Sequence, residues 1–227
     1  MKALLYKEFK LAMHPICYVF IDSFHLMILI PSYPLSIGFI YVLTCYPILF
    51  LGANKGQQSN DLLFSTLLPV RKKDIVLARI MTVVIIQFAF IALTTALYPL
   101  SVYFNKLAAD SGVNTGTVAV PGLGLNSYVF ILAIAITGFA IADIIFFPIY
   151  YKKGKSIVMS TLLMIFGFVI YLGVLTIGLP YIPGMGWMNE LHLGVQFAIL
   201  GGALIIYILM HLIVYKISSK RLEKVDF

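Results

Sequence analysis

From Ile16 to Asn54 the chain is a nearly continuous run of hydrophobic residues, broken near its middle by Pro31-Ser32-Tyr33-Pro34. One membrane-crossing helix needs about 20 apolar residues, so this run is too long for a single span, and it holds a turn-forming break where two would meet. Two antiparallel spans joined by a tight turn are expected. Within hydrocarbon every backbone polar group must be satisfied internally, which leaves helices as the natural form for such a run. Composition points the same way: 61% of residues are hydrophobic, 11% are charged and the mean hydropathy is +1.01, whereas charged residues make up about a quarter of a soluble domain. The expected class is all-α, a polytopic integral membrane protein.

Four further spans follow from the same reasoning. The third is expected over 75–103, generous in length and tilted or projecting past the bilayer, followed by a loop over 104–125 rich in Gly, Asn, Ser and Thr. The fourth, 126–150, ends in Phe147-Pro148-Ile149-Tyr150-Tyr151, and a short basic loop occupies 151–156. The fifth runs over 157–179. Pro180, Pro183, Gly184 and Gly186 then break the helix, and Tyr181 with Trp187 supplies an interfacial anchor over 180–193. The sixth covers 194–215, ahead of a tail over 216–227. Before all of these, Lys2, Lys7 and Lys10 alternate with Leu4, Leu5, Phe9 and Leu11, a pattern suited to a helix lying in the interface over 1–14.

The charge distribution orients this arrangement. Of the 16 Lys and Arg, only Lys106 falls on the side opposite the rest, so the positive-inside rule places both termini in the cytoplasm, in agreement with six spans. The net charge of +7 therefore has a topological meaning. Nucleic acid is not an expected partner, because no polar domain presents a basic face. Cys17 and Cys45, the two cysteines, fall near the end of one span and the middle of another, which disfavours a disulfide or a thiol metal site. No small-residue cleavage site ends the first apolar run, and no removable signal peptide is expected.

Between the second and third spans, at 55–74, lies the one long stretch of mixed polarity. Asn60 or Ser59 can cap a short helix whose Leu63, Phe64, Leu67 and Leu68 recur at three- and four-residue spacing. Asp61 sits in its first turn. Pro69 stops it; the basic cluster Arg71, Lys72 and Lys73 follows, and Asp74 is placed to cap a helix beginning at Ile75. A short amphipathic helix beside a basic elbow is thus held at the membrane surface. The plain reading is that this helix rests among headgroups while the lysines only set topology.

Three stretches together resemble the membrane subunit of type-2 ABC transporters: the opening KALLYKEFKL, the cytoplasmic LLFSTLLPVRKKDIVLARI and, after the fourth span, FFPIYYKKGKS. The likeness extends over essentially the whole chain, with Gln57, Gln58 and Ser59 standing where many members are more acidic. The resemblance implies a six-span permease with an N-terminal interfacial helix and a cytoplasmic coupling helix, in the plasma membrane, working with a second permease copy or a paralogue and with cytoplasmic ABC ATPase subunits. It further implies that the Leu63, Phe64 and Leu67 face enters a groove on the ATPase, with Arg71, Lys72 and Lys73 on acidic residues or lipid phosphates. No G-x-x-x-x-G-K-[ST] sequence occurs in the chain, so ATP and Mg are expected on the partner and no cofactor on this chain. Export of an amphipathic cargo, peptide or lipid-like, is the expected activity. A membrane-bound immunity or sensor protein that binds a peptide without transport is the alternative.

Ionisable groups inside hydrocarbon are costly and raise a functional hypothesis. Asp22 and Asp143 fall at comparable depth in their spans, with His25 one turn beyond Asp22. They are candidates for a vestibule that attracts cationic amphipathic cargo, with Gln87 of the third span a weaker candidate. The favoured reading is less eventful: carboxylates satisfied between packed helices, and Gln87 in an interhelical hydrogen bond. The four histidines show no metal-ligand spacing, no nucleophile elbow is present, and no enzymatic site is expected.

Overall fold

The protein is described by a computed structural model covering residues 2–12, 65, 69–110, 128–153, 157–175 and 192–224. The first two spans, the loop tips and most of the coupling segment, including Asn60, Asp61, Leu63, Phe64 and Leu67, lie outside the described residues, as do Asp22 and His25. Every described element is helical: α1 Lys2–Lys7, continuing as a wider π-helical turn Glu8–Ala12; α2 Lys72–Asp110; α3 Tyr128–Lys153; α4 Ile157–Gly173; and α5 Leu193–Glu223. Helices α2, α3 and α5 are each long and apolar enough to cross a membrane, and α4 is a shorter apolar helix.

Helix boundaries extend past those expected from the sequence. Helix α2 begins at Lys72 rather than Ile75: the amides of Asp74 and Ile75 both donate to the Arg71 carbonyl. Asp74 is therefore within the first turn, where its charge faces the amide end of the helix dipole. At the other end α2 continues through Pro99 to Asp110, because Lys106, Leu107, Ala108 and Ala109 are strong helix formers and nothing between them breaks the turn. At 1.5 Å per residue it is about 58 Å long, well beyond a hydrocarbon core of about 30 Å. Lys152 and Lys153 belong to the last turn of α3, not to a loop. The expected tail is helical through Glu223, with Lys220 and Arg221 favourably placed against the carbonyl end of α5.

Helix α3 is the centre of the bundle. Phe139, Ala140, Ala142, Phe146, Phe147, Tyr150 and Tyr151 are all buried, and α3 packs on both α4 and α5, while α2 packs on α5. Gly167 of α4 makes room for a side chain of α3: a Cβ there would collide with the Cδ1 of Ile145. By contrast α4 and α5 present many exposed apolar side chains, among them Val158, Leu162, Phe166, Ile205, Leu209 and Leu212, as expected of surfaces whose solvent is lipid.

Two contacts fix which ends meet. Lys73 at the start of α2 pairs with Glu223 at the end of α5, 3.8 Å apart, and the Arg221 guanidinium donates to the Pro148 carbonyl near the end of α3. The basic clusters of 71–73, 152–153 and 220–221 therefore gather at one end of the bundle. Helices α3 and α5 run parallel there, and α2 runs against both.

Candidate functional site

At the basic end, the opening helix is joined to the bundle by an ion pair. Arg79, seven residues into α2, donates from Nε to Glu8 Oε2 at 2.9 Å and from Nη2 to Glu8 Oε1 at 3.1 Å, while its Nη1 donates to the Tyr150 hydroxyl at 3.2 Å. This is the two-pronged guanidinium–carboxylate geometry that fixes orientation as well as distance. Both side chains are shielded, 4% and 5% exposed, so neither charge is left to water. Lys7, also buried, lies 3.6 Å from Glu8 Oε1 and donates to the Ser65 hydroxyl. Ser65 is the described residue of the expected coupling helix, so a continuous chain of polar contacts runs from that segment through Lys7, Glu8 and Arg79 to α2 and α3.

The sequence placed the charges of this cluster differently. Lys7 and Arg79 enter the sequence reading as topological charges, and Glu8 did not figure in it; the structure buries all three. The face of the opening segment that turns inward carries Leu4, Lys7 and Glu8, while Tyr6 and Lys10 remain exposed, with the Lys10 ammonium bonded to the Tyr6 hydroxyl at 2.6 Å. The widened turn Glu8–Ala12 begins at the second of the two inward-facing charges.

Of the residues proposed to contact a partner, Pro69, Arg71 and Lys73 are exposed and Lys72 is half-buried. They stay accessible beside the clamp. Directly beneath it the FFPIYY stretch forms an aromatic stack: Phe146 lies over Tyr150 and Phe147 over Tyr151, with ring centroids 5.8 and 6.4 Å apart. Tyr150 meets Tyr151 edge-on at 4.9 Å. These rings close the basic end of α3 and hold the hydroxyl that receives Arg79.

A second polar cluster lies deeper. Asp143 is completely buried, about 15 Å along α3 from Lys153 by helical rise. Its Oδ2 accepts from Gln87 Nε2 at 3.1 Å and is 2.8 Å from His211 Nε2. Gln87 in turn accepts at Oε1 from the Tyr207 hydroxyl, and the Tyr207 ring lies against the His211 ring, centroids 4.0 Å apart. Three helices, α2, α3 and α5, thus each contribute to one network. Gln87 is the interhelical hydrogen-bonding residue that its mid-span position indicated, while Asp143 is enclosed by protein.

His211 and Tyr207 are the members that sequence reasoning missed. Their only sequence signal is the i, i+4 spacing that puts both on one face of α5; the partner carboxylate is 68 residues away. Among the described residues no group of three His, Cys, Asp or Glu side chains gathers as a metal site would require. Searches against models of known families, curated proteins and solved structures return no match.

Proposed function

We propose that the chain is the permease subunit of an ATP-driven exporter in the plasma membrane. Both termini and the basic end of the bundle face the cytoplasm, and six spans cross the bilayer. A cytoplasmic ABC ATPase binds the ATP and Mg, and a second permease copy or a paralogue completes the path. The cargo is amphipathic, a peptide or a lipid-like molecule. The observation that carries this reading is the buried clamp of Glu8 and Arg79, extended through Lys7 to Ser65.

A helix that only floated at the headgroups would have no need of a desolvated ion pair. Burying two charges costs several kcal/mol each before their attraction is counted, so such pairs favour a fixed arrangement more than they add stability. A fixed arrangement is what a lever requires. Movement imposed on the coupling segment would pass through Ser65, Lys7 and Glu8 to Arg79 and the start of α2, and through Tyr150 to α3. The exposed Arg71 and Lys73 beside it supply positive charge for an acidic partner surface or lipid phosphates.

The test is a charge placed on the docking face. Phe64→Asp should abolish co-purification of the ATPase with the tagged full-length chain while membrane insertion stays normal. Undiminished co-purification would contradict the docking role, and retention of a peptide ligand without any nucleotide-driven turnover would favour a sensor.

A further inference from the structure

The hydrogen-bond partners of His211 fix the number of protons the deeper cluster holds. Its Nδ1 is 2.9 Å from the Tyr207 carbonyl oxygen and its Nε2 is 2.8 Å from Asp143 Oδ2. A carbonyl oxygen only accepts, so Nδ1 carries a hydrogen. A neutral imidazole has one N–H, now committed to Nδ1, which leaves Nε2 as a bare lone pair facing a carboxylate oxygen. Two lone pairs at 2.8 Å repel; the contact is favourable only with a proton between them. That proton sits either on Nε2, as imidazolium beside carboxylate, or on Oδ2, as neutral imidazole beside carboxylic acid.

We propose that His211 and Asp143 form a proton-binding site in the membrane interior, holding one proton more than a neutral histidine beside an ionised aspartate. The ligand is the proton itself, taken from and returned to water, and the pair is electrically neutral when loaded. Gln87 meets the same oxygen from the other side: its Oε1 accepts the Tyr207 hydroxyl, which turns Nε2 to donate to Oδ2.

The surroundings offer no competing charge among the described residues. On α2 the nearest is Arg79, about 12 Å away along the axis by helical rise and bound to Glu8. Lys152 is the next charge on α3 toward the basic end, and Lys216 the next on α5. The Tyr171 hydroxyl of α4 is engaged by Thr137 and the Ile134 carbonyl. Asp22 and His25 lie outside the described residues. Since α5 supplies the histidine and α3 the aspartate, and the membrane interior penalises an isolated charge, the two helices could part only as neutral groups, with the shared proton kept on Asp143 and His211 left as neutral imidazole. This site stands independently of whether an ATPase docks beneath the bundle.

The experiment keeps the pair intact. Full-length protein carrying His14→Gln, His25→Gln and His192→Gln retains His211 as its single histidine. Its ring nitrogens, labelled with ¹⁵N, are read by solid-state NMR in lipid bilayers at about pH 8, where a free imidazole of pKa about 6.5 is neutral. The expected result is two protonated ring nitrogens, or a protonated Nδ1 together with an infrared carboxylic-acid band that disappears in Asp143→Asn. In that Asp143→Asn background the ring should be neutral. A neutral ring with no acid band, or one protonated only at Nε2, overturns the proposal. Should the triple variant not fold, wild-type spectra minus those of His211→Gln give the same answer, and if that variant also fails, the wild-type acid and imidazolium bands decide.

Discussion

Arg79 shows how one residue can be misjudged from sequence. In the chain it looks like the last of a cluster of topological charges, yet it is almost fully enclosed and spent on Glu8, 71 residues earlier. Breaking a buried pair from one side leaves the other charge stranded, a loss of about 3–5 kcal/mol. Arg79→Ala should accordingly lower unfolding stability in detergent by about that much. Adding Glu8→Ala should return a large part of it, because the stranded carboxylate is gone; a purely additive double variant would show that the two do not act as a unit. Gln87→Leu is the milder case, expected to cost about 1 kcal/mol, since hydrogen bonds between spans average less than that and the variant loses those to Asp143 and Tyr207. Asp143 and Gln87 were legible because polar groups in apolar runs stand out. Glu8, Tyr207 and His211 were not, because their significance lies in partners on other elements that no local spacing reveals.

Among the elements, existence was far more legible than extent. Apolar runs located α2 through α5, but α2 begins before Ile75 and outlasts its expected end at residue 103, and α5 absorbs most of the expected tail. The reason is physical: hydropathy marks where a helix enters and leaves lipid, while helix propensity and capping decide where the backbone stops coiling. Lys and Ala carry α2 past the one and on to the other. The seat of the Ile145 side chain of α3 on Gly167 of α4 gives a check on packing. Gly167→Leu should force the helices apart at Ile145 and destabilise the bundle by about 1–3 kcal/mol, measured by thermal unfolding in detergent. Unchanged stability would mean that α4 does not seat where described.

For the whole molecule, the gathering of the basic clusters at one end was foreshadowed by the alternation of charged and uncharged loops, and the contacts Lys73–Glu223 and Arg221–Pro148 bring the helix ends together accordingly. Which side of the membrane that end faces is open to direct labelling. A single cysteine replacing Lys72 should react with an impermeant maleimide only after cells are opened, and one replacing Lys106 should react in intact cells. The proposed export, however, requires that this end receive work from a nucleotide-hydrolysing partner through the segment beside Ser65. The decisive experiment places a photoreactive amino acid at position 64 of the full-length chain and identifies what it captures in native membranes. Capture of a cytoplasmic ATPase, lost on moving the probe to lipid-facing Leu209, is the predicted result; capture of lipid alone, with no nucleotidase at any exposure, would contradict it.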